Sequence, residues 1–213
     1  MVEQLLAKEN VESSNLFIRF PKSLFLKTIA FNSHNIVLYK AEVIARTVMS
    51  QQSFYFSEEC NKNHRQLLET MIGAAIWYLP QGKELWTGNI SIDALKKLFE
   101  SDNPNKVTLT KDHHYPIKVA AGELFKLDWS KFSKPAKEVL KRYQSLYGRF
   151  NFVLPEENKK LVQYQKGHVF VNPEDSYRQA SIDLRKISQE QLNRIRKGDR
   201  KLAELAIINQ INV

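Results

Sequence analysis

Asp112-His113-His114-Tyr115-Pro116 and, 38 residues after His113, Asn151-Phe152-Val153-Leu154-Pro155 carry the reading of this chain. Val107-Thr108-Leu109-Thr110 ahead of the first stretch is β-prone, and a turn-rich Ser101-Asp102-Asn103-Pro104-Asn105 introduces it. A strand over 107–111 delivers Asp112 and His113 to its end, and Phe150 to Leu154 forms a second short strand that brings Asn151 alongside. Pro155 then opens a helix, with Glu156 and Glu157 in its first turn, where carboxylates favour the positive end of the dipole. That helix carries Asn158 towards the acid and the histidine.

Outward from this pair the pattern is mostly helical. Residues 1–104 read as a helical region with no visible chemistry: a helix from Pro21 through Phe31, a second through Ile36 to Val48, and a third through Leu67 to Ile76 that stops before Pro80. Ser91 is placed to cap a fourth, through Leu95 and Leu98. The 105–165 segment holds the two strands, with a helix from Pro135 inserted between them and Gly148 in the C′ position that closes it. Residues 166–213 read as basic helices opened by Asn172-Pro173 and Ser188, the last interrupted by Gly198. The expected fold class is α+β.

Composition sets bounds on function. With 213 residues, 43% of them hydrophobic and 11% aromatic, the chain can bury an ordinary core. Cys60 is the single cysteine, which excludes an intramolecular disulfide framework and a multi-cysteine zinc site. No signal peptide or membrane span is read, so the expected localisation is cytoplasmic, with no membrane partner. No Walker loop, Rossmann glycine pattern or G-x-S-x-G elbow occurs. The formal charge is +9, and Lys141 to Lys201 holds 14 Lys and Arg against 7 Asp and Glu, a distribution suited to a polyanion. Lys159, Lys160, Lys166, Arg178, Arg185, Lys186, Arg194, Arg196 and Lys197 are the candidate phosphate contacts. Their bland alternative is the solvated face of amphipathic helices.

Hydrolysis of a phosphodiester needs an activated water, a cation at the phosphate and groups that hold both. A histidine is the usual proton acceptor near neutral pH, and Mg²⁺ prefers oxygen ligands while retaining several waters. Asp112-His113-x-x-Pro116, with Asn151-x-Val153-Leu154 and Asn158 on the following helix, resembles the HNH, or ββα-metal, endonuclease core. The resemblance covers about residues 105–165. It implies a small β-hairpin plus helix, and Mg²⁺ or Mn²⁺, one ion per site, held by Asp112. It further implies His113 as the base, Asn151 as its orienter and Asn158 as second ligand, with DNA as substrate. Two alternatives stay open. Glu157 can replace Asn158 as ligand, and a pair shifted by one residue makes His113 the metal ligand and His114 the base. The small size and unassigned helical half are similar to restriction or phage-defence nucleases of that family, in which a homodimer or partner protein can contribute.

A rival pattern, Glu157-Asn158-Lys159 with Asp112 or Asp128 as upstream acid, mimics a PD-(D/E)xK site, but Pro155 argues against the continuing strand it needs. The competing function is a non-catalytic nucleic-acid- or partner-binding module. His34, His64 and His168 are isolated, and Trp77, Tyr78, Trp86 and Trp129 are either core or base-stacking residues.

Overall fold

The computed structural model describes residues 33–166 and 168–208, so the helix expected from Pro21 lies outside the described residues. The described chain is α+β. In order the elements are α1 (Ser33–Phe56), α2 (Lys62–Trp77), β1 (Trp86–Ser91), α3 (Ile92–Glu100), β2 (Thr110–His113), α4 (Ile117–Phe125) and α5 (Pro135–Arg142). There follow β3 (Phe150–Val153), α6 (Pro155–Leu161), α7 (Pro173–Gln179), β4 (Leu184–Lys186), α8 (Gln189–Arg196) and α9 (Arg200–Ile207).

Local chemistry sets most helix ends. Asn61, Ser91, Asn172, Ser188 and Asp199 each accept a backbone N–H of the first turn of α2, α3, α7, α8 and α9. Pro135, Pro155 and Pro173 occupy first-turn positions, where a missing N–H costs nothing. Gly198, at φ +97°, makes the left-handed break between α8 and α9. Gly148 does close the helical insertion, but at φ −88° rather than in the left-handed C′ geometry expected. A π-turn over Tyr143–Tyr147 ends α5, and glycine is needed because a Cβ there would lie 2.6 Å from the Tyr143 ring.

The four strands form one sheet in the order β2-β3-β1-β4, with β2 antiparallel to β3, β3 parallel to β1, and β1 antiparallel to β4. β2 is therefore an edge strand. β1 comes from residues 86–91, inside the region read mainly as helices, and sits in the middle of the sheet. The strand expected over 107–111 begins later, at Thr110, and runs through His113, because a 3₁₀ turn at Pro104–Lys106 occupies the preceding chain.

The β2–β3 register decides which side chains share a face: Thr110 faces Val153, Lys111 faces Phe152, Asp112 faces Asn151 and His113 faces Phe150. Successive side chains alternate sides, so Asp112 and Asn151 share one face and His113, Lys111, Phe150 and Phe152 the other. Phe150 and Phe152 belong to the main core with Ile90, Leu95, Leu98, Leu124 and Phe125 from β1, α3 and α4. The opposite face carries a smaller cluster of Val153, Leu161, Tyr177, Ala180 and Ile182, supplied by β3, α6, α7 and the turn after it. The antiparallel β2–β3 pair followed by α6, which packs on β2, has strand-strand-helix order with α4 and α5 inserted between the strands.

Candidate functional site

Asp112, 3% exposed, is the centre of a polar cluster on the smaller-core face. Its carboxylate accepts the Tyr177 hydroxyl and, on both oxygens, the Gln165 amide at 3.2 Å. No Lys, Arg or His lies within ion-pair distance of it among the described residues, and burial pushes its pKa up to about 6 in spite of the two donors. Tyr177 in turn accepts from the Asn151 amide at 2.8 Å, and the Asn151 oxygen accepts the Thr87 hydroxyl. Donors therefore run in one direction from Thr87 on β1 through Asn151 on β3 and Tyr177 on α7 to Asp112 on β2. Each bond in such a chain polarises the next. Burial and the neighbouring Asp112 charge raise the Tyr177 pKa, so the phenol stays a donor.

His114 continues on the Asp112 side. Its backbone N–H donates to Arg149, and its ring lines a cavity of about 350 Å³ with Asn89, Glu174, Tyr177, Arg178 and Asp183. Its Nε2 lies 4.0 Å from the Glu174 carboxylate, while Nδ1 is buried without a hydrogen-bond partner. Burial lowers the His114 pKa, with Glu174 opposing, so the ring is neutral near neutral pH. Ser181, another cavity residue, has φ +55°, a left-handed conformation unusual for a side-chain-bearing residue.

His113 lies on the other side of the sheet. Its Nδ1 is 3.3 Å from the Tyr147 carbonyl, its Nε2 is 2.6 Å from the Gln81 amide nitrogen, and its ring packs at 4.8 Å from Trp77. A proton on Nδ1, donated to Tyr147, leaves Nε2 as acceptor for Gln81. Burial lowers its pKa as well. Asn151, expected to orient His113, instead bonds Tyr177 and Thr87, because strand alternation sets it opposite.

The remaining ligand candidates have other places. Glu157, 4% exposed, accepts from the Leu154 N–H at 2.7 Å and from the Ser91 hydroxyl, so it caps α6 and ties it to β1 rather than facing Asp112. Asn158 is half-buried on α6, and its side chain makes no hydrogen bond to Asp112, His113 or Asn151 among the described residues. Because Glu157 and Lys159 both lie on a helix, the strand geometry of the PD-(D/E)xK pattern is not formed. Asp128 caps a 3₁₀ turn through Ser130. Among the described residues no group of three or more His, Cys, Asp or Glu gathers as a metal cluster.

Of the nine candidate phosphate contacts, Arg178 alone lines the His114 cavity, where it also pairs with Asp175. Lys159, Lys160, Lys166, Lys186 and Lys197 are exposed on α6, the loop after it, β4 and the end of α8. Arg194 is tied to Asp199, Arg185 reaches the Ile207 carbonyl, and Arg196 is half-buried. Trp86 and Trp129 are core, whereas Trp77 and Tyr78 are exposed. Tyr177, Gln165, Thr87 and Gln81 carry no motif in the sequence. Strand alternation alone signals that 112 and 114 share a side. No helix of the described residues is long and apolar enough to cross a membrane. No family profile, no curated protein and no solved structure matches this chain.

Proposed function

We propose that this protein is a metal-dependent endonuclease of HNH type, hydrolysing DNA phosphodiester bonds on the Asp112 side of the β2–β3 pair. The observation that carries the reading is the buried Asp112–Tyr177–Asn151 cluster, which has no cationic partner among the described residues and whose Tyr177 lines the same cavity as the neutral His114. A carboxylate kept buried and charged without a counter-ion is costly, and a divalent cation is the chemistry that answers it. Mg²⁺ uses one or two carboxylates and keeps several waters, and Asp112 would be its protein anchor once Gln165 or Tyr177 gives up a carboxylate oxygen. When bound, the ion supplies charge stabilisation at the phosphate and the leaving oxygen. Tyr177 and Gln165 orient the carboxylate, and Asn151 fixes Tyr177. His114, neutral, would take the proton from the attacking water on Nε2, since Nδ1 is buried, and Arg178 would exchange Asp175 for a phosphate oxygen in the same cavity.

The second reading keeps His113 as the base. Its favouring observation is the Nδ1 contact to the Tyr147 carbonyl, which fixes the tautomer with Nε2 as acceptor once the Gln81 side chain swings away. Plasmid nicking with Mg²⁺ or Mn²⁺ separates the two. His114→Ala lowers the rate by about 10²- to 10⁴-fold, the range for losing a general base, and His113→Ala leaves it within a few-fold of wild type. The reverse ranking assigns the base to His113. No nicking by wild type, with salt-sensitive DNA binding intact, makes the chain a nucleic-acid-binding module without catalysis, and equal non-zero rates in wild type and both variants rule out either histidine as the base.

A further inference from the structure

On the other side of edge strand β2, α2 ends in two aromatic residues that the core does not take up: Trp77 is 56% exposed and Tyr78 70% exposed. Two ammonium groups flank them. Lys40 Nζ donates to the Tyr78 carbonyl at 2.9 Å, and Lys111 Nζ, 3.4 Å from the Gln81 carbonyl, lies over the Phe150 ring at 4.7 Å. Contacts run from Trp77 through the buried His113 ring and Gln81 to Lys111. Open aromatic faces of this size are poorly placed in water, and an apolar partner would have to desolvate both lysines. Flat apolar faces between cations suit a ligand with flat apolar rings and anionic links.

We propose that this surface binds unpaired nucleotides, with bases stacked on Trp77 and Tyr78 and phosphates paired with Lys40 and Lys111. A duplex keeps its base faces stacked inside, so the surface selects single strands or frayed ends. Because β2 is an edge strand, this surface and the Asp112 cluster lie back to back across the same edge. The proposal needs neither a metal nor Asp112, so it stands or falls apart from the catalytic reading.

The test is fluorescence anisotropy of the full chain, in EDTA, with a labelled oligothymidine and a duplex of equal length, joined to salt titrations. Wild type binds the single strand more tightly. Tyr78→Ala and Trp77→Ala each weaken that binding by about 5- to 100-fold, the range for one lost stacked base, while duplex binding is unchanged. Lys40→Ala and Lys111→Ala each lower the slope of log affinity against log salt by about 0.7. Trp77→Ala can disturb His113, whereas Tyr78 is open enough for its truncation to leave the fold intact, so Tyr78→Ala is decisive. Single-strand affinity unchanged in Tyr78→Ala, or equal loss for strand and duplex, overturns the proposal. Loss of nicking without loss of single-strand binding, as expected for His114→Ala, bears on the catalytic reading only.

Discussion

Replacing Asp112 by asparagine should stabilise this protein while removing the nicking activity proposed for it. In the folded chain the Asp112 carboxyl titrates at about 6 instead of 3.8, with burial as the largest cause. At 1.36 kcal/mol per unit, keeping it charged costs the fold ~3 kcal/mol above pH ~6. Asparagine has the same shape and no charge. Its oxygen accepts the Tyr177 hydroxyl, and the Gln165 amide can turn its own oxygen towards the new NH₂. Asp112→Asn should therefore exceed wild type by up to ~3 kcal/mol at pH ~8, or about 6 to 12 °C in Tm for a chain of this size. The sign of the pH dependence follows from the raised carboxyl. Between pH ~4 and ~6 the folded chain holds a proton that the unfolded chain has released, so wild type gains stability as pH falls through this window. The advantage of the variant is then full above pH ~6 and closes towards pH ~4. His113 and His114, both lowered by burial, act oppositely: the unfolded chain takes up their protons first, and stability is lost as pH falls through the ordinary histidine range. Those contributions are common to both proteins and cancel in the difference. Urea unfolding of the pair across this range reads the gap. A variant less stable than wild type at pH ~8, or a gap independent of pH, refutes the argument that Asp112 is a buried charge held at a cost to the fold.

Ser91→Ala removes the cap on the Ala94 N–H and one donor to buried Glu157, and should cost about 2 to 3 kcal/mol, read as a lower urea midpoint with unchanged slope. Ser91→Thr, which keeps the hydroxyl, should recover most of it. Gly148→Ala sets a Cβ against the ring of Tyr143, whose hydroxyl donates to the Leu79 carbonyl, and should cost about 1 to 3 kcal/mol in the same assay. An unchanged midpoint would mean that the π-turn shifts freely.

The parts of the fold legible in the sequence are those decided within a few residues. Ser91, Asn172 and Ser188 announce helix starts because a side-chain oxygen satisfies an N–H two or three residues on, and Pro135 and Pro155 do so by fixed φ. β3 is legible because Phe150, Phe152 and Val153 are β-prone and stand between Gly148 and Pro155. β1 and β4 are not, since each is short, carries no alternation strong enough to outweigh its helical neighbours, and exists only through pairing with residues far along the chain. Gly88, at φ +88° where the β1–β3 register shifts, reads locally as a loop. α4 is missed because Pro116 gives its start no side-chain cap. At the site, the approach of the two short strands is read from the sequence, but the motif sets Asn151 against His113, whereas the register sets it opposite Asp112. The sides taken by His113 and His114 are not legible, because they depend on the strand running to residue 113 rather than stopping at 111. Tyr177 and Gln165 reach Asp112 from 65 and 53 residues away, a closeness that only the packing of α6 and α7 creates.

Nicking of supercoiled plasmid by wild type and Asp112→Asn, with Mg²⁺ or Mn²⁺ and with EDTA, tests the central claim most directly. A buried carboxylate serving as the metal anchor predicts cleavage by wild type that EDTA abolishes, and none by the variant, although the variant is the more stable protein. Cleavage by Asp112→Asn at the wild-type rate, or wild-type cleavage that persists in EDTA, contradicts it.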